Sequence, residues 1–91
     1  MELTYYALVT EDGSYIYEKI LENGLIECCN YREPTNASLY YTFNDAKQGY
    51  EMIMGLAPSS YKYLFYYQKP IGIQKILVSL GETTILSAGD V

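Results

Sequence analysis

Two dipeptides, Asp12-Gly13 and Asn23-Gly24, constrain the first third of the chain most, because each stands between runs that alternate apolar and polar side chains. Asp-Gly and Asn-Gly supply the positive φ angles of a two-residue type I′ turn, so they predict tight hairpins joining Leu3 to Thr10, Ser14 to Leu21 and Leu25 to Tyr31. Pairing about those turns sets Glu11 opposite Ser14 and Glu22 opposite Leu25, which assigns every side chain to a face. One face then carries Leu3, Tyr5, Ala7, Val9, Ile16, Ile20, Cys29 and Tyr31, with Glu18 and Glu27 near an edge or opening. The other carries Thr4, Tyr6, Leu8, Tyr15, Tyr17, Lys19, Leu21, Ile26 and Cys28. The first is the better core candidate, and neither is plainly wet.

Beyond a turn-rich linker from Arg32 to Ser38, a short aromatic strand is expected at Leu39 to Tyr41. Thr42-Phe43-Asn44-Asp45 fits a capping box, with Asn44 as a rival N-cap, and Ala46, Tyr50, Ile53, Met54 and Ala57 recur at helical spacing. A helix from about Asp45 to Leu56 follows, ended by Gly55 and Pro58. Gly49 inside it costs about 1 kcal/mol relative to alanine unless a close approach to the sheet requires it. Tyr61 to Gln68 alternates again, with Tyr61, Tyr63, Phe65 and Tyr67 opposite Lys62, Leu64, Tyr66 and Gln68. A strand from Ile71 to Leu80, a turn at Gly81 and a short edge at Thr83 to Ser87 complete the chain. The prediction is one α+β domain of 91 residues: an antiparallel sheet, made of an N-terminal three-stranded meander and a C-terminal hairpin, packed on a single helix.

Six or seven strands about 4.8 Å apart make a sheet ~30 Å wide, whereas one helix covers only ~10–12 Å. Either the sheet curls into a partial barrel, or a second copy or another partner covers the remaining tyrosine-rich surface. A homo-oligomer is therefore expected, with Tyr61, Tyr63, Tyr66 and Tyr67 as its interface.

Histidine is absent, which removes Ser-His-Asp and Cys-His catalysis together with every histidine-containing metal site. Cys28 and Cys29 are adjacent in a predicted strand, so their side chains point to opposite faces and stay reduced thiols; they neither form a disulfide nor assemble a zinc site. Glu18 with Glu27 is the nearest approach to a carboxylate pair, but on the expected register they are not directly opposite. No glycine-rich turn feeds the helix, and no calcium ligand ladder is present. No catalytic residue, metal site or cofactor is assigned. The apolar runs fall short of the roughly 18 residues that span a bilayer, and the first residues lack an export signal, so a cytoplasmic chain without membrane contact is expected.

The net charge of -5 is uneven: residues 1–33 hold seven acids and two bases, while residues 34–91 hold four of each. That balance disfavours direct nucleic-acid binding. An acidic meander bearing tyrosines suits a protein partner with a basic or nucleic-acid-binding surface, and a merely soluble acidic surface is the plainer alternative. The partner-binding candidates are Tyr6, Tyr15, Tyr17, Glu11, Asp12 and Glu22. A homo-oligomer that sequesters a nucleotide-like ligand between subunits is the rival function; a small hydrolase is the weakest.

The unit Leu39-Tyr40-Tyr41-Thr42-Phe43-Asn44-Asp45-Ala46 resembles the strand-to-helix step of small α+β proteins of bacteriophages. With its length, acidic balance and lack of histidine, the chain is similar in general character to phage-encoded anti-defence proteins such as anti-CRISPRs. That resemblance implies a small non-enzymatic, stoichiometric inhibitor acting in a bacterial host, and it transfers no functional residue.

Overall fold

A computed structural model describes residues 2–79 and 85–90 of the chain. Its strands are β1 (Glu2–Val9), β2 (Tyr15–Ile20), β3 (Leu25–Tyr31), β4 (Lys62–Phe65), β5 (Gly72–Ser79) and β6 (Ile85–Asp90), with α1 (Phe43–Ile53) the one α-helix among the described residues. They form one sheet in the order β4-β3-β2-β1-β5-β6. The α+β class and the single helix agree with expectation; the strand arrangement does not. β4 runs parallel to β3, because α1 lies between them in sequence and carries the chain back to the same end of the sheet. That parallel pair corrects the antiparallel-only sheet. β5 pairs antiparallel with β1, so the runs around β4 and β5 lie on opposite sides of the meander. β4 and β5 therefore make no hairpin; β5 instead pairs antiparallel with β6, which lies at Ile85–Asp90 rather than at the expected Thr83 to Ser87, and Leu80, Gly81, Thr83 and Thr84 of the expected turn and edge lie outside the described residues.

Both N-terminal hairpins form, each one residue out of the expected register. In the first, Thr10 N donates to Ser14 O at 2.9 Å and Gly13 N to Thr10 O at 3.1 Å, with Gly13 at φ 85°. Asp12 keeps a negative φ, so Glu11-Asp12-Gly13 is a three-residue loop and Val9 pairs with Tyr15. In the second, Asn23 (φ 62°) and Gly24 (φ 73°) do make the left-handed pair, but Leu21 N donates to Leu25 O at 2.8 Å while Leu25 N donates to Glu22 O. Leu21 and Glu22 thus both oppose Leu25, a bulge beside the turn. A one-residue slip turns a strand over; two slips cancel for β3 and leave β2 inverted. Ile16 therefore packs with Leu8, Ile26 and Cys28, while Tyr15 packs with Ala7 on the opposite face. Glu18 faces Cys28 and Glu27 faces Lys19, which places the two glutamates on opposite sides of the sheet rather than on one.

β1 and β2 pair only at Val9 and Tyr15, and Ser38 to Tyr40 fill the gap between them. Ser38 N donates to Ile16 O at 3.0 Å, and Tyr40 exchanges backbone hydrogen bonds of 2.9 and 2.8 Å with Tyr6. The expected strand at Leu39 to Tyr41 is reduced to this bridge at Tyr40. Each face has its own core. Leu8, Ile16, Ile26 and Cys28 pack with Ile53 of α1, whereas Ala7, Tyr15 and Ile76 on the other side are joined by Ala37 from the linker.

Thr42 is the N-cap, its Oγ1 accepting from Asp45 N at 3.0 Å, so α1 begins at Phe43 and Asn44 is not the cap. The helix ends before Leu56: Gly55 (φ 74°) donates to Met52 O at 3.2 Å and Leu56 N to Glu51 O at 2.7 Å, a Schellman closure.

Candidate functional site

α1 lies against β1 and β5, and its width leaves the β2-β3-β4 half of the same face partly uncovered. The result is a groove of about 420 Å³. β2 contributes Glu18 and Ile20, α1 contributes Asp45, Gln48, Gly49 and Met52, and Tyr61 and Tyr63 close the far side. Leu39, Tyr40 and Tyr41 reach it from the segment wedged beside β2. Of these lining residues, Ile20 is 69% exposed and Tyr41 79% exposed, with the Tyr41 ring 5.8 Å from that of Tyr5.

The inversion of β2 brings Glu18 into this groove. Its amide is held by Ser38 Oγ at 2.8 Å, and Tyr40 Oη donates to its Oε2 at 2.8 Å. The phenol reaches the carboxylate only because Gly49 has no side chain: a Cβ there would lie 2.6 Å from Tyr40 Oη. Gly49 is thus a close-approach position, but the approach is to the Tyr40 ring rather than to the sheet as expected. Burial pushes the Glu18 carboxyl above its ordinary value, an effect that the Tyr40 hydrogen bond partly offsets. Tyr40 is pushed up by its own burial and then by the neighbouring Glu18 charge. Cys28 is pushed up to about 12, chiefly by burial with Glu18 adding. Neither Tyr40 nor Cys28 is thereby poised as a base or nucleophile near neutral pH. Glu18 Oε1 has no hydrogen-bond partner and no lysine or arginine lines the groove, among the described residues. The arrangement offers an acceptor and a negative charge inside an aromatic and apolar frame.

The six partner-binding candidates are not brought together. Tyr6 lies on the helix side, half-buried with its ring 6.2 Å from Phe43. Tyr15 is 8% exposed within the opposite core, so it is corrected from surface to core residue. Tyr17 is exposed on that same opposite face, 5.9 Å from Tyr31. Glu11 and Asp12 sit in the β1–β2 loop, while Glu22 sits at the other end of β2. Asp12 serves its own loop. It accepts from Thr10 Oγ1 at 2.6 Å and Ser14 N at 3.0 Å, and Arg32 lies 3.4 Å away. Hydrogen bonds from Thr10 and then Ser14, with a smaller contribution from Arg32, lower its pKa from 3.8 to about 2.

Of the expected interface tyrosines, Tyr61 is exposed at the groove and Tyr66 and Tyr67 are 60% and 80% exposed, but Tyr63 packs against the helix-side core. Tyr66 Oη donates to Glu27 Oε2 at 3.2 Å. Ile20, Leu39, Tyr40 and Tyr41, which frame the groove, were not among the sequence candidates; Gly49 was the one local signal pointing to them.

A second cavity of about 360 Å³ lies beside the β1–β2 loop, lined by Asp12, Ser14, Asn30, Arg32, Tyr67 and Gln68. Asn30 Nδ2 donates to Ser14 Oγ and to Gln68 O there, and its buried Oδ1 has no partner among the described residues. Among the described residues no group of three potential metal ligands occurs, and no helix is long and apolar enough to cross a membrane. No protein-family model matches the chain, and neither a curated protein nor a solved structure matches it.

Proposed function

We propose that the chain is a non-enzymatic protein-binding module that docks a partner over the groove beside α1 and masks a basic surface of it, as a stoichiometric inhibitor does. The observation that carries this reading is one lining that combines two acids, Glu18 and Asp45, with exposed Ile20, Tyr41 and Tyr61, and holds no base among the described residues. Contiguous exposed apolar side chains favour association, and an acidic setting selects a basic counterpart. The net charge of -5 acts in the same direction over longer range. The groove replaces the patch around Tyr6, Tyr15 and Tyr17 as the docking surface.

The test compares immobilised wild type with Ile20→Arg in the lysate of the cell in which the protein acts. Ile20 is exposed, so the substitution is expected to leave the fold intact, which circular dichroism checks, while placing a positive charge on the groove. A protein retained in near-equal amount by wild type and lost from the variant supports the reading; equal retention by both overturns it.

The exposed Tyr66 and Tyr67 beside edge strand β4 favour a second reading, a homo-oligomer that encloses a small ligand between copies. Light scattering at twice the 10.4 kDa chain mass, with a co-purifying small molecule, is its signature.

A further inference from the structure

We infer that the groove beside α1 receives an arginine side chain of the partner, its guanidinium donating to Glu18 Oε1 among the tyrosines. This rests on the docking reading above and names the chemistry that fills the groove.

Glu18 has a hydrogen-bond donor in Tyr40 but no cation, although it is half-buried in a lining that is mostly aromatic and aliphatic. A carboxylate partly withdrawn from water without a positive partner is less favourable than one in open solvent, and a cation supplied from outside offsets that penalty. Tyr40 satisfies Oε2 alone, which leaves Oε1 as an acceptor. Asp45, the other acid of the lining, adds attraction for a cation and repels an anion. Tyr61 and Tyr63 belong to the same lining, and aromatic rings attract a planar cation.

Guanidinium fits this setting better than ammonium. It is more weakly hydrated, stacks on aromatic rings and presents several donors in one plane, whereas ammonium is a compact, strongly hydrated charge. At about 420 Å³ the groove lies within the roughly 300–1,000 Å³ range of sites that enclose a small ligand, so there is room for the side chain and part of its backbone.

The experiment titrates the full chain with the capped tripeptide acetyl-Gly-Arg-Gly-amide while following its backbone amides by NMR, against the same peptide carrying lysine or neutral citrulline. Saturable shifts at Glu18, Tyr41 and Gly49 are expected with arginine, and binding at least about tenfold weaker with citrulline. The lysine peptide falls between them. Glu18→Gln should weaken the arginine peptide to the citrulline level, and exposed Asp45→Asn should weaken it less. Equal binding of arginine and citrulline peptides, lysine binding as tightly as arginine, or shifts centred on Asp12 would overturn the inference. The citrulline comparison uses unaltered protein, so it decides the question even if Glu18→Gln fails to fold. Should the lysate partner depend on Ile20 while the arginine peptide does not bind, the docking reading stands and the arginine inference falls. Retention of the partner by Ile20→Arg removes the docking reading itself.

Discussion

Tyr40 donates a 2.8 Å hydrogen bond to Glu18 across the bare backbone of Gly49, so a phenol from the wedge beside β2 holds a β2 carboxyl against α1. Alanine in place of a mid-helix glycine ordinarily stabilises by about 1 kcal/mol. Here Gly49→Ala is expected to destabilise, since its Cβ would lie 2.6 Å from Tyr40 Oη and 2.9 Å from Cζ. In a Tyr40→Ala background the obstacle is gone, and the same change should stabilise by up to about 1 kcal/mol. Urea denaturation of the four proteins measures the reversal of sign.

The inverted register of β2 makes two neighbouring tyrosines unequal. Tyr15 is buried with Ala7 and Ile76, whereas Tyr17 stands exposed. Tyr15→Ala is expected to cost about 3–5 kcal/mol, as for other large buried aromatics, and Tyr17→Ala about 1 kcal/mol or less. Denaturant midpoints for the two variants read this directly, and equal losses would contradict the inverted strand.

Glu18 and Asp12 drive stability in opposite directions with pH. Burial raises Glu18 in the folded chain, so the folded state binds its proton more tightly; that contribution is complete below the ordinary 4.5 and is lost as pH rises through the raised value. The hydrogen bonds of Thr10 and Ser14 lower Asp12, whose contribution is present above the ordinary 3.8 and is lost as pH falls toward about 2. Glu18→Gln should therefore flatten the decline on the alkaline side of 4.5, and Asp12→Asn the decline on the acid side of 3.8. Urea midpoints collected from about pH 2 to 8 separate the two effects.

The adjacent thiols should react at different rates. Cys28 is buried and pushed up to about 12, while Cys29 is half-buried on the opposite face. A thiol reagent such as DTNB at neutral pH should modify one thiol per chain, and Cys29→Ser should abolish that native-state reaction. Reaction of both thiols at one rate would show that the helix-side core does not shield Cys28.

Much of this architecture is visible in local chemistry. Asp12-Gly13 and Asn23-Gly24 mark both hairpins, and Thr42 starts the helix. What they leave undetermined is register. A two-residue loop and a three-residue loop ending in a left-handed glycine look alike in sequence, and a bulge at Glu22 has no residue signature of its own. Each costs one residue of register, which was enough to exchange Tyr15 with Ile16 and to move Glu18 into the groove. The parallel β4 was hidden for a different reason: alternation through Tyr63 and Phe65 is the same in either direction of pairing. The wedge of Ser38 to Tyr40 between β1 and β2 is a long-range contact that no local pattern encodes. The mismatch between a wide sheet and a narrow helix was legible, and it reappears in the structure as the groove beside α1.

The most direct test of docking in that groove is amide hydrogen exchange of the chain, free and bound to the partner retained in the Ile20-dependent comparison. Peptides covering residues 18–20, 39–41 and 48–52 should exchange more slowly in the complex, because they form the lining. Protection confined to the Glu11–Gly13 loop, or to the face carrying Tyr17 and Tyr31, with residues 39–41 and 48–52 unchanged, would contradict the account.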